Sequence, residues 1–158
     1  MDRSRINFGL RVLLLTLSVC LFVGFQPWQF LVLPVGGDKY MVTIVSLRKD
    51  DGTPATQFKR GEFVFVDVAL KNTMTYTAVP EPYLLVARAT FGLSLYGLGA
   101  FSGSMIAGQE LNAMPAFLVP DDAPYGSYVI KVMVFSNWPS AGGIPIAASV
   151  TTVFDVIP

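Results

Sequence analysis

The chain has 158 residues, the length of one ordinary domain with a short extension. Charged residues make up 14% of it and hydrophobic residues 53%, which excludes a disordered chain, because such chains lack the apolar surface to fold. Lys+Arg and Asp+Glu balance at 11 each, so no basic field exists to hold nucleic acid, and with His at 0 and Cys at 1 there is no imidazole base, no Cys/His metal site and no intrachain disulfide.

At the N-terminus Arg3, Arg5 and Arg11, with Asp2 as the only acid, precede the apolar run Val12–Phe25 (VLLLTLSVCLFVGF). Apolar character resumes at Phe30–Val35. A cationic start before such a stretch is the pattern of a secretory signal or signal anchor. A bilayer core takes about 20 apolar residues of helix, so a segment reaching from Val12 to Val32 is long enough to contact lipid throughout. Arg11 can reach back to the cytoplasmic surface, and Trp28 suits the opposite interface. The expectation is a retained anchor within residues 1–35, with the N-terminus in the cytoplasm and the rest of the chain outside. Secretion after cleavage is the alternative, with Gly37 after Val35 the best cleavage candidate. Leu17-Ser18-Val19-Cys20 resembles a bacterial lipoprotein box, but Val19 stands where a small residue belongs and the apolar run continues, so Cys20 reads as an apolar helix residue.

Residues 36–38 (Gly36-Gly37-Asp38) form a short linker, and 39–158 change character. Short β-branched or aromatic runs alternate there with turn residues. Tyr40–Leu47 alternates, placing Tyr40, Val42, Ile44 and Ser46 on one side, and ends at the Asp51-Gly52 turn. Glu62–Lys71 puts Val64, Val66, Val68 and Leu70 on one face and Asp67 on the other. Tyr83–Phe91 follows Pro80 and Pro82, and Leu93–Phe101 is weakened by glycines, among them Gly97 and Gly99. Leu111–Val119 contains Pro115, which suits an edge position. Ser127–Phe135 has Tyr128, Ile130, Val132 and Val134 on one face, and Ala148–Ile157 is the last strand. About seven strands with tight connections and no helix predict an all-β, antiparallel two-sheet sandwich.

Val119-Pro120-Asp121-Asp122-Ala123-Pro124-Tyr125-Gly126-Ser127-Tyr128, followed by an alternating strand, resembles the corner of immunoglobulin-like and fibronectin-like domains found on prokaryotic surface proteins. The resemblance implies an immunoglobulin-like sandwich over the whole 39–158 region, with Gly126 permitting the sharp turn and Tyr128 packing into the core. It implies an architecture and no particular activity.

Catalysis by paired carboxylates needs two acids facing one cleft. Most acids here fall in turns or at strand ends, and alternation turns Asp67 and Asp155 toward water. Asp50-Asp51 and Asp121-Asp122 are each short of ligands for Ca²⁺. No catalytic residue, cofactor or metal site is expected. The one candidate interaction surface is the connection Ser136–Pro145, long for a hairpin, with Asn137, Trp138, Pro139, Ser140, Gly142 and Gly143 as its partner-binding residues. Trp138 is either an exposed anchor for a partner or sugar, or a lid on the open end of the core; the high average burial of tryptophan favours the lid. The functional expectation is a non-enzymatic, membrane-anchored extracytoplasmic module, for binding or an accessory envelope role, that engages other envelope proteins or copies of itself. The alternative is a pilus-type filament subunit that inserts Phe30–Val35 into a neighbour by strand addition, with Leu93–Phe101 as the receiving edge.

Overall fold

A computed structural model describes residues 38–158. The expected anchor within 1–35, the Cys20 motif and linker residues Gly36 and Gly37 lie outside the described residues. The strands in chain order are β1 (Tyr40–Arg48), β2 (Gln57–Lys59), β3 (Phe63–Asn72), β4 (Glu81–Phe91), β5 (Ser94–Met105), β6 (Glu110–Ala113), β7 (Ala116–Leu118), β8 (Gly126–Phe135) and β9 (Val150–Ile157). The region is all-β, in two sheets. A 4-stranded sheet has β3 at its centre, flanked by β1 on one side and by β6 and β7 in succession on the other. A 5-stranded sheet runs β2-β9-β8-β4-β5. Only β2 and β9 pair in parallel among the described strands.

Strict alternation of β-branched residues makes β3 and β8 the two sides of the core, as their sequences predict. Val64, Val66, Val68 and Leu70 point from β3 toward Tyr128, Ile130, Val132 and Val134 of β8, all buried. Leu85, Ala87 and Ala89 of β4 join the same cluster, with Phe154 and Val156 of β9.

Elsewhere the chain departs from its simple pattern. In β1 the register shifts between Ile44 and Ser46, so Val45 is an extra residue. This bulge reverses the phase of the strand. Leu47 turns into the core, and Ser46 turns outward beside Asp67. Asp67 is consequently not facing water. It is only 9% exposed, its Oδ2 accepting from Arg48 Nη2 at 2.7 Å and from Ser46 Oγ at 3.4 Å. Alternation places Asp67 on the outer face, but β3 is a central strand, and a side chain from its neighbour covers that face.

The expected Leu111–Val119 strand is two strands, β6 and β7, broken at Pro115, whose carbonyl accepts the Val66 N–H at 2.9 Å. Both are edge pieces paired only to β3. Strand β2 was not legible, being three residues with one apolar member. That member, Phe58, is fully buried and meets Phe154 edge-on at 5.6 Å.

Strand β5 is not loosely paired. Its ladder with β4 runs from Ser94 to Met105 with one register shift. The glycines serve inter-sheet contact instead. A Cβ on Gly99 would lie 2.7 Å from the Ala116 carbonyl oxygen, and one on Gly97 would overlap the Phe117 ring. Without those side chains β5 leans directly on β7 and closes that side of the sandwich.

Loops gather at two poles. At the proximal pole, where the described chain begins, Asn72 is fully buried. Its Nδ2 donates to Met105 O at 3.1 Å and its Oδ1 accepts from Met74 N at 3.0 Å, tying two loops to the end of β3. At the distal pole the Tyr128 hydroxyl donates to Pro124 O at 2.7 Å. There Arg60 Nε donates to Ala123 O at 2.8 Å, and its guanidinium lies 4.0 Å from the Tyr125 ring centre.

Gly99→Ala is expected to lower unfolding free energy by about 1–3 kcal/mol through overpacking against β7, while Ala100→Ser on the outward face changes it by less than about 0.5 kcal/mol. Chemical denaturation of the two variants checks the difference. Tyr128→Phe should cost about 1 kcal/mol, the net worth of one buried hydrogen bond, by the same measurement.

Candidate functional site

Two surfaces stand out, one foreseen and one not. The foreseen surface is the connection from β8 to β9. Its tip is a short 3-10 turn, Pro139–Ala141, with Trp138 at its N-cap and Gly142 at φ 80° closing it. The left-handed φ favours glycine, which has no Cβ to clash. The loop satisfies its own polar groups. Asn137 Oδ1 accepts from Trp138 N at 2.7 Å, and Trp138 O accepts from the N–H groups of Ala141 and Gly143, each at 2.9 Å. Gly143 sits so close to the Asn137 carbonyl that a Cβ has no room there.

This geometry overturns the lid reading of Trp138. The side chain is 46% exposed, and Asn137, Pro139, Ser140 and Gly142 are exposed with it, Gly143 half-buried. Ile146, only 6% exposed, closes the core instead. A bridge between Phe135 and Pro145 returns the chain to the sheet. Ile146 N then donates to Val134 O, and Ile146 O accepts from Lys39 N, both at 2.9 Å. The average burial of tryptophan was the wrong guide because a tight self-bonded turn holds this one outside the seam. Tyr76, Val79, Ile106 and Ile144 are further exposed apolar side chains of the loops at this pole.

Tyr40 lies beneath these loops. Its hydroxyl donates to Glu81 O at 3.0 Å. Burial first, then the charges of Glu81 and Tyr83, push it up from 10.0 to about 12.

The unforeseen surface is the outer face of the five-stranded sheet. Residues directly paired across an antiparallel ladder share a face. The outer rows are therefore Phe135–Leu84–Ser102, Met133–Val86–Ala100, Lys131–Arg88–Leu98 and Val129–Thr90–Leu95, with Val153 beside Val129. Leu84 and Val86 are buried although they lie outside the core cluster. Leu95, Leu98, Val129 and Val153 are exposed. Antiparallel sheets commonly solvate their outer face with polar residues; the central rows of this one are mostly apolar, and polar residues, Thr151, Ser127, Asp155, Gln57 and Lys59, lie on its β9 and β2 side. Lys131 and Arg88 face each other directly, and neither belongs to any of the ion pairs among the described residues. A signal for this face was present in the sequence. Tyr83–Ala87 is an unbroken apolar run, apolar on both sides of a strand.

No group of three or more His, Cys, Asp or Glu side chains is placed to hold a metal ion among the described residues. Asp50-Asp51 and Asp121-Asp122 both lie toward the distal pole, yet Asp51 Oδ1 is engaged by Thr53 N at 2.8 Å and Thr53 Oγ1 at 2.6 Å. Those bonds hold its carboxyl below the usual carboxylate range. Asp155 bonds to Ser127. A groove of about 440 Å³ between β1 and β9 is lined by Val45, Pro54 and Thr151 among others and contains no ionisable side chain. No helix among the described residues is long and apolar enough to cross a membrane.

No protein-family model and no curated protein matches the chain. Among solved structures, the β-glucosidase of Listeria innocua in complex with glucose is similar at TM-score 0.52 and 11% identity, over 75% of this chain and 16% of that one. A mutant of that enzyme in complex with laminaribiose gives TM-score 0.51 at 11% identity, over 75% and 16%. The chain thus spans about a sixth of the length of these enzymes, and at such identity the likeness is one of fold alone.

Trp138→Ala should leave stability within about 0.5 kcal/mol of the parent, whereas Ile146→Ala should cost about 2–5 kcal/mol as a buried truncation; thermal or chemical unfolding of both variants checks which residue closes the pole. Stability should also fall between pH 10 and 12. The unfolded chain ionises Tyr40 near 10.0 while the folded one keeps the proton to about 12, so its contribution is whole below 10 and lost as pH rises through 12. Tyr40→Phe is expected to reduce that decline in a pH series of melting curves.

Proposed function

We propose that the chain is a non-enzymatic, membrane-anchored extracytoplasmic module of immunoglobulin-like architecture that acts by binding a protein in the envelope. The observation that carries the binding role is the broad apolar outer face of the five-stranded sheet, the kind of surface that marks an interaction site when it persists in a folded domain. The immunoglobulin-like assignment draws support from the sheet orders β1-β3-β6 and β2-β9-β8-β4-β5. It draws more from the Tyr128 hydroxyl bonded to the backbone four residues upstream, the tyrosine-corner geometry of such sandwiches.

Anchoring rests on the cationic start and apolar run of residues 1–35. It gains support from the pole where the described chain begins, at which Trp138 and Tyr76 are exposed, residue types that favour membrane–water interfaces. The filament alternative draws less from the domain. Its receiving edge would be β5, the end strand of the five-stranded sheet, which is pressed against β7.

The full chain should stay in the membrane fraction after alkaline carbonate extraction. A Cys20→Ser, Trp138→Cys variant should react with a membrane-impermeant maleimide on intact cells. A soluble chain, or labelling only after lysis, overturns the proposal.

A further inference from the structure

We infer that the outer face of the five-stranded sheet docks a partner protein presenting a carboxylate between apolar side chains, and that Arg88 and Lys131 receive that carboxylate. The inference rests on the binding-module reading and gives its partner a chemistry.

Arg88 and Lys131 are direct cross-strand partners in the centre of the face. Such residues sit about 4.5–5.5 Å apart at their Cα atoms, and like charges in that position destabilise a sheet. The rest of the domain avoids this arrangement. Lys39, Arg48, Lys49 and Lys71 each have a carboxylate partner, in Glu81, Asp67, Glu62 and Glu110. Arg60 is engaged by Ala123 O and the Tyr125 ring, and Lys59 forms no ion pair among the described residues but faces no cation across a ladder. The outer face of the other sheet carries two of those pairs, Arg48–Asp67 and Lys71–Glu110. On the face of Arg88 and Lys131 the acid is Asp155, opposite Ser127 and bonded to it. At about 3.4 Å per residue along β8 and one strand over, it is roughly 14 Å from Lys131, too far to neutralise the pair.

The dication is framed by apolar rows. Leu84, Val86, Met133 and Phe135 lie toward the proximal pole, and Leu95, Val129 and Val153 toward the distal one. An anion inserted between the cations relieves their repulsion in a site walled by hydrocarbon, where charge pairing is strengthened. Aliphatic walls on both sides suit a protein surface with one acid among apolar side chains. A neutral sugar would leave the two positive charges unmet. A second copy of the chain is not the occupant, because a symmetric face-to-face dimer would bring two dications together.

The test places a photo-reactive benzophenone side chain at Leu98 in the full chain in its native membranes, with a control at Thr43 on the outer face of the other sheet. Irradiation should yield an adduct from position 98 and none from 43, to a different protein whose cross-linked peptide contains Asp or Glu. Arg88→Glu should lose that adduct at least tenfold while melting at or above the parent temperature, since it sets a carboxylate against Lys131 and forms a cross-strand ion pair. Replacing the partner's carboxylate with Lys should restore the adduct in the Arg88→Glu background. The inference is sunk by no protein adduct at 98, by an adduct to lipid, glycan or another copy of the chain, or by an adduct indifferent to Arg88→Glu. Failure of the anchoring reading appears separately, as a chain that leaves the membrane fraction on carbonate extraction.

Discussion

The contact between the inner faces of β3 and β8 is the interaction on which the domain depends. Four side chains from each strand, valine in five of the eight places, fill the space between the sheets. Branched side chains are stiff about their first torsion, so they pack in this flat space at small entropic cost. Where bulk would hold the sheets apart the chain uses Ala87 and Ala89, and at the β5–β7 side Gly97 and Gly99. Those glycines let one sheet rest on the backbone of the other, so the two sheets themselves close the sandwich on that side.

With the sheets locked, the poles become a matter of satisfying backbone groups. Asn72 does this at one end, its side chain bonded to two loops while fully buried. The Tyr128 hydroxyl does it at the other. No buried side-chain nitrogen or oxygen among the described residues is left without a partner. An interior this complete leaves function to the surface.

The two outer faces are built differently. That of the β1–β3–β6 sheet sets paired charges and one nearly sealed carboxylate, Asp67, among exposed apolar side chains such as Met41, Val45 and Phe63. That of the β9–β8–β4–β5 sheet is apolar around two opposed cations. Ion pairing at an exposed surface is worth little, so the contrast matters for recognition more than for stability. The first face pairs its own charges. The second face sets apolar side chains beside two cations that have no ion pair among the described residues.

Much of the fold was legible because it follows from neighbours in the chain. The two-residue alternation of Val64–Leu70 and Tyr128–Val134 determined which side of each strand is core, and the Asp-Gly and Pro-rich segments determined where strands turn. Other features depend on partners distant in sequence. The bulge at Val45 exists because β1 must match β3, and it alone moves Leu47 inward. Asp67 is covered by Arg48 from the adjacent strand, and Phe58 becomes core only through β9. Trp138 stays outside because Ile146 reaches the seam first. Arg88 and Lys131 are 43 positions apart in the sequence and became one site only when β4 and β8 aligned. Sequence by itself determined the all-β class and the inward faces of the long strands, since alternation is local; tertiary structure decided which outward residues meet, since register between strands is not.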